Sequence, residues 1–331
     1  MREILDHYLS NVSATGVLVG VNFDGVMAYH VAGDRAQSDI QRPFYIYSIS
    51  KTFTAVAIMK LCERLGCFLD DSVVEILAHY KIPADITVRQ LLNHTSGLSD
   101  YFCEPEYQKA VHDHPEKPWS YEKLMEVGLR KSPLHPAGET FYYSNPGYAM
   151  LKEIIEQKSG ISHYDYIKQS IIAPLQLKNT RPFIEKDMDH QLLPGVDPSM
   201  HSDFRSLYDP GWIATGSLIS TVQEITEFYQ ALFRGKLVSP ESLEQMMQLI
   251  ELDFPFPKPK IAAQGLGLMS MKNDPQGANY GHGGGGPGYT TYARHYPDHN
   301  GKHITIALVV NASLPQTPFE LTDQIFDSIT A

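Results

Sequence analysis

Tyr47-Ser48-Ile49-Ser50-Lys51-Thr52-Phe53-Thr54-Ala55-Val56-Ala57-Ile58-Met59-Lys60-Leu61 reads as one buried helix whose first turn holds a serine and a lysine. Positions three apart share a helical face, so the Ser48 hydroxyl and the Lys51 amine can meet. A serine hydroxyl is a poor nucleophile at neutral pH and needs an adjacent base. A lysine serves if burial and the positive end of the helix dipole lower its pKa. The same helix start offers free backbone N–H groups to an oxyanion. Gly66 follows in a C-cap position. Taken singly, the spacing is met as readily by an N-capping serine beside a solvated lysine.

Outward from this helix, strands gather at both ends of the chain. Gly16–Asn22 and Val26–Val31 are apolar runs split by Asp24-Gly25, a hairpin signal. Thr290–Tyr296 and His303–Val310 form a second antiparallel pair around the turn-rich connector Pro297-Asp298-His299-Asn300-Gly301. A helix from about Phe319 to Ile329 closes the chain, and Met1–Leu9 opens it as an amphipathic helix. The centre differs, with helical apolar spacing at Val88–Leu92, Tyr121–Leu129, Tyr148–Lys158 and Tyr164–Ile172 between Pro- and Gly-bearing loops. Strands outside and helices within indicate an α+β fold. The expected layout is an α/β unit from residues 1–65 and 205–331, with a mostly helical unit from 66–204 inserted.

With 331 residues, 43% of them hydrophobic and 20% charged, the chain has ample core for such a layout. A net charge of −11 and no dense Lys/Arg run argue against nucleic-acid binding. Cys62, Cys67 and Cys103 supply neither a disulfide framework nor a zinc pattern, although Cys62 and Cys67 are close enough in sequence to pair. The 14 histidines form no metal-binding spacing, so no metal and no cofactor is expected. No apolar run has membrane-spanning length, and the N-terminus lacks the pattern of a secretory signal, so the expected location is cytoplasmic.

Three further stretches change the weight of the serine–lysine pair. They are Ile86-Thr87-Val88-Arg89-Gln90-Leu91-Leu92-Asn93-His94-Thr95-Ser96-Gly97-Leu98, Pro136-Ala137-Gly138-Glu139-Thr140-Phe141-Tyr142-Tyr143-Ser144-Asn145-Pro146-Gly147-Tyr148, and Tyr280-Gly281-His282-Gly283-Gly284-Gly285-Gly286-Pro287-Gly288-Tyr289. In this order, and with Ser48/Lys51 ahead of them, they resemble the class C β-lactamase-like branch of the penicillin-binding protein superfamily. That branch includes β-lactamases, D-alanyl-D-alanine carboxypeptidases, D-aminopeptidases and related esterases. The set is a variant of the Ser-x-x-Lys, Ser-Asp-Asn and Lys-Thr-Gly elements of penicillin-recognising enzymes. Gly66–Val74, Ile171–Leu177, Ala214–Thr221 and Gly265–Leu268 carry the likeness between the motifs, so it covers nearly the whole chain.

The resemblance implies an antiparallel sheet flanked by helices plus a mostly helical subdomain, and an acyl-enzyme on Ser48. Lys51 and Tyr143 would carry the proton as one coupled system. Asn145 would hold Lys51 and the acyl side chain, and the third element, His282, Gly283, Gly284 and Gly285, would bind substrate. Backbone N–H groups of Ser48 and Gly285 would form the oxyanion hole. Plainer readings stand beside these: Tyr142 and Tyr143 as core aromatics, Asn145 as a turn residue, and His94 as a loop-orienting histidine. Gly283–Gly286 lacks the Gly-Lys-Ser/Thr of a nucleotide loop.

One departure bears on substrate. His282 and Gly283 stand where β-lactamases have a lysine and a hydroxyl residue, and a partly charged histidine is a weaker partner for a carboxylate. Neutral esters, amides or D-peptides are therefore favoured over β-lactams and D-Ala-D-Ala. A D-alanyl carboxypeptidase, a weak β-lactamase, an acyltransferase and a non-catalytic peptide-binding protein remain as alternatives. Substrate choice is expected to lie in loops near 100–120, 183–212 and 252–264.

Overall fold

The computed structural model describes residues 1–183, 191–197, 202–253, 259–315 and 317–331. Its main feature is an eight-stranded antiparallel sheet built from both ends of the chain. The strands are β1 (Gly16–Phe23), β2 (Val26–Gly33), β3 (Ile250–Glu251), β4 (Ile261–Gln264), β5 (Met269–Lys272), β6 (Tyr280–Gly286), β7 (Tyr289–His299) and β8 (Lys302–Val310). Their order across the sheet is β2-β1-β8-β7-β6-β5-β4-β3. The N-terminal hairpin therefore zips onto the C-terminal one, with Val17 opposite Val310 and Phe23 opposite Ile304.

Both faces of the sheet are covered, which explains why β1 and β8 read as nearly unbroken apolar runs. Side chains alternate between faces: Val17, Val19, Val21, Ile304, Ile306, Leu308 and Val310 pack with Leu321, Ile325 and Phe326 of the closing helix Phe319–Thr330. Leu18, Ala307 and Val309 point the other way into a larger core. That core takes in the helix Val222–Phe233, the helix Ser50–Leu65 and the central helices. Twelve of the sixteen residues of Ser50–Leu65 are buried, so this helix runs through the molecule with apolar contacts on nearly every side. Phe53 stacks on Phe228 at 3.7 Å between ring centroids.

Several local expectations are corrected. The segment read as one helix from Tyr47 begins as a separate 3-10 turn, Tyr47–Ile49, and the α-helix starts only at Ser50. The cause is Tyr47, held at φ +46 by contacts from another part of the chain. The connector 297–301 is shorter than expected, because β7 continues through Pro297 to His299 across a register irregularity. Such an irregularity is where a strand tolerates a residue with no N–H to donate. Tyr164–Ile172 is an α-turn, His163–Ile167, followed by a π-turn, Lys168–Ile172. The three cysteines are free thiols. Among the described residues no helix is long and apolar enough to cross a membrane, and no acid, His or Cys cluster is arranged to hold a metal.

Candidate active site

The structure brings Ser48, Lys51, Tyr143 and Asn145 together across a sequence span of nearly a hundred residues. Ser48 sits in the Tyr47–Ile49 turn, one residue past a tyrosine in the left-handed region. A bulky residue there is strained and persists only where its surroundings enforce it. Two contacts do so: the Tyr47 hydroxyl donates to the Pro287 carbonyl at 2.5 Å, and the Tyr47 ring lies against Gly286. Lys51 follows on the first turn of the α-helix and is buried.

The glycines of the third element make this approach possible. An added methyl at Gly284 would stand 2.4 Å from the Ile46 carbonyl oxygen and 2.5 Å from Thr291 Oγ1. At Gly286 it would stand 2.5 Å from the Tyr47 ring. Residues 284 and 286 share one face of β6, so the bare backbone of that face seats the turn carrying Ser48. Gly285 faces open space instead.

Tyr143 and Asn145 arrive from the start of another helix. Ser144 caps Asn145–Ser159, its hydroxyl accepting the Gly147 N–H at 3.3 Å. Tyr143 lies just before the cap and Asn145 is the first helical residue, so the two side chains diverge towards Ser48 and Lys51. His94 locks this segment in place: its Nδ1 accepts the Ser144 N–H at 3.1 Å, its carbonyl accepts the Tyr142 N–H at 2.8 Å, and its ring stacks on Tyr143 at 4.2 Å. Burial, then the charge of Lys51 and the nearby His282, push the His94 pKa well below the ordinary range. His94 is a neutral structural clamp.

Around Ser48 the polar contacts are short. Lys51 Nζ donates to Ser48 Oγ at 3.2 Å and to Asn145 Oδ1 at 2.9 Å. Tyr143 Oη bonds to Ser48 Oγ at 2.9 Å. Lys51 Nζ also lies 4.9 Å from the Tyr143 ring centroid and 5.4 Å from that of Tyr148. Behind them, Asn145 Nδ2 and N donate to Asp100 Oδ2 at 2.9 and 3.3 Å, and Phe102 N donates to Asp100 Oδ1 at 3.0 Å. The sequence reading passed over Asp100. Its only signal there is an acid between Leu98-Ser99 and Tyr101-Phe102, in a stretch too apolar to be a solvated loop.

His282 departs from the expected partly charged group. Its ring is buried, its Nδ1 bonds to the Gly283 carbonyl at 2.6 Å, and burial lowers its pKa to about 4. The Gly283 bond opposes that shift and Lys51 adds to it. At neutral pH His282 is therefore uncharged. Its Nε2 is buried without a hydrogen-bond partner, as is that of His94.

These groups line a cavity of about 860 Å³ together with Gly283, Gly284, Gly285, Gly286 and the aromatic rings of Tyr101, Tyr107, Tyr142, Tyr208 and Trp212. Its wall is mostly apolar. Among the described residues lining it, Lys51 is the one lysine or arginine. Parts of the expected specificity loops, 184–190, 198–201 and 254–258, lie outside the described residues.

Comparison with known proteins places these features in context. The family model described as Beta-lactamase matches residues 1–328. Penicillin-binding protein 4* of Bacillus subtilis (strain 168) is 30% identical over 300 residues, which cover 83% of this chain and 64% of that protein. The chain thus spans somewhat less than two thirds of this relative's length. Among solved structures, a D-stereospecific amidohydrolase from Streptomyces sp. superposes with a TM-score of 0.82 at 26% identity, covering 94% of this chain and 93% of that one. The D-amino acid amidase of Ochrobactrum anthropi SV3 shares the fold, with a TM-score of 0.83 at 23% identity over 99% and 96% of the two chains.

Proposed function

This chain belongs to the Beta-lactamase family, and from that premise we propose that it is a serine hydrolase forming an acyl-enzyme on Ser48. One observation carries the reading: Ser48 Oγ lies 3.2 Å from Lys51 Nζ and 2.9 Å from Tyr143 Oη at the wall of an 860 Å³ cavity. A nucleophile within hydrogen-bond reach of a base, itself oriented by a third group, is the arrangement that activates serine.

In the proposed cycle Ser48 Oγ attacks the substrate carbonyl carbon while its proton passes to the Lys51–Tyr143 pair. The carbonyl oxygen takes the negative charge and is met by the N–H groups of Ser48 and Gly285. Collapse of the tetrahedral intermediate breaks the bond to the alcohol or amine, which leaves with the proton from the same pair. Water then repeats the sequence on the acyl-enzyme, regenerating Ser48 and releasing the acid. Asn145 holds Lys51 in place through its side-chain carbonyl.

The substrate reading follows from charge. With His282 neutral and glycine at 283, the third element offers no charge-assisted contact to a carboxylate, a loss on the order of 1.5–3 kcal/mol. Esters and amides without a free carboxylate, including amides of D-amino acids and of D-peptides, fit better than β-lactams or D-Ala-D-Ala termini. The names of the Streptomyces and Ochrobactrum proteins support the D-configured part of this reading. A panel of p-nitrophenyl esters, D- and L-amino acid amides, D-Ala-D-Ala peptides and nitrocefin tests it. Turnover of neutral esters or D-amides well above nitrocefin is expected, abolished in Ser48→Ala. Preferential nitrocefin or D-Ala-D-Ala turnover would overturn the substrate reading, and no turnover with no acyl adduct would favour a binding protein.

A further inference from the structure

We propose that Asp100 is a positioning residue of this site, fixing the Asn145 side-chain amide so that its carbonyl faces Lys51; the inference rests on the serine-hydrolase reading above.

Asp100 is 4% exposed and every hydrogen bond it makes is accepted from an N–H: Phe102 N at one oxygen, Asn145 N and Nδ2 at the other. Burial raises the Asp100 pKa above the ordinary carboxylate value, and the Phe102 N–H, the Lys51 charge and the two Asn145 donors oppose that shift by favouring the ionised form, which has acceptors alone to offer. Lys51 Nζ, on the far side of Asn145, is a donor. The Asn145 amide lies between a carboxylate and an amine and has one orientation that satisfies both: NH₂ towards Asp100, oxygen towards Lys51. The reverse would set donor against donor at the buried Lys51 and acceptor against acceptor at the buried Asp100, where unmade bonds are costly.

The consequence reaches Ser48. Lys51 is oriented by Asn145 Oδ1 and bonds onward to Ser48 Oγ, so the wire runs Ser48–Lys51–Asn145–Asp100. A buried acid that orients the base from one step away is the role of the third member of a serine–histidine–aspartate triad. Here an asparagine relays it between acid and amine.

The test exchanges the two groups. In Asp100→Asn one oxygen must serve donors that had two: turned to Phe102 N it sets NH₂ against the Asn145 NH₂, and turned to Asn145 it sets NH₂ against Phe102 N, so in either case the hold on the Asn145 amide loosens and the rate of Ser48 labelling by a fluorophosphonate falls at least about tenfold. Asn145→Asp alone sets two carboxylates side by side and also loses labelling. The double variant Asp100→Asn/Asn145→Asp keeps atom count and net charge. It reinstates the bonds from Phe102 N to residue 100, from residue 100 to residue 145, and from Lys51 to residue 145, giving up only the 3.3 Å bond from the residue 145 backbone. Labelling within a few-fold of wild type in the double variant is expected, with each single variant well below it. Wild-type labelling in Asp100→Asn, or no recovery in the double variant whether folded or not, overturns the proposal. If the wild-type protein itself is not labelled at Ser48, the hydrolase reading fails first.

Discussion

Ser48 Oγ is contacted from two sides, by an amine and by a phenol, and removing either isolates the part it plays. Tyr143→Phe deletes the Oη 2.9 Å from Ser48 but keeps the ring that stacks on His94. Acylation is expected to slow roughly 10²–10⁴-fold, the range of a lost proton-transfer group, with little change in Tm. Single-turnover acylation at saturating ester measures it, and an unchanged rate would remove Tyr143 from the proton path. At this scale the sequence was informative, since Ser48, Lys51, Tyr143 and Asn145 were each singled out and now lie in contact. Asp100 was not legible, because a lone acid in a loop carries no spacing, and its role depends on three N–H groups that the fold alone directs at it. The charge state of His282 is not legible in the sequence for a similar reason: burial, not residue type, lowers its pKa to about 4.

At the level of elements, the site depends on a strand pressed against a strained turn. Gly284→Ala places a methyl 2.4 Å from the Ile46 carbonyl oxygen, so β6 and the Ser48 turn must separate. Overpacking of this kind costs about 1–3 kcal/mol. A lower Tm and near-complete loss of acylation are expected together. Gly285→Ala is the contrast, since its methyl points into open space. It should leave Tm within about 1–2 °C of wild type, while changing which acyl groups are accepted. Equal effects of the two substitutions would contradict the close approach of Gly284. The hairpins, the closing helix and the central helices were readable from period and turn residues. The 3-10 turn at Tyr47–Ile49 was not, because Tyr47 adopts φ +46 for tertiary reasons, through Pro287 and Gly286. The strand through Pro297 was not either, because a proline reads as a breaker until the register irregularity is seen.

For the molecule as a whole, the larger core runs without a break from Leu18 through the central helices to Val309. We propose that the two expected units, 1–65 with 205–331 and 66–204, unfold together. Circular dichroism and tryptophan fluorescence should then report one coincident thermal transition, and two separated transitions would contradict it. Acid is the second global stress. His94 and His295 are held well below the ordinary histidine range by burial, His163 near 3 and His282 near 4. The unfolded chain binds these protons below about pH 6.5 while the folded protein does not, so the stability they contribute is full above that pH. It is lost as pH falls towards 4, with His282 alone accounting for on the order of 2 kcal/mol near pH 4.5. Tm should therefore drop between pH 6.5 and 4.5, and His163→Gln should flatten that slope; a flat wild-type profile would contradict the buried neutral histidines. The central claim, that distant segments meet to make Ser48 an acylated nucleophile, is tested most directly by mass spectrometry of protein quenched with a slowly deacylating ester. The expected result is one acyl adduct mapping to the peptide containing Ser48 and absent in Ser48→Ala, whereas an adduct elsewhere, or none, would contradict it.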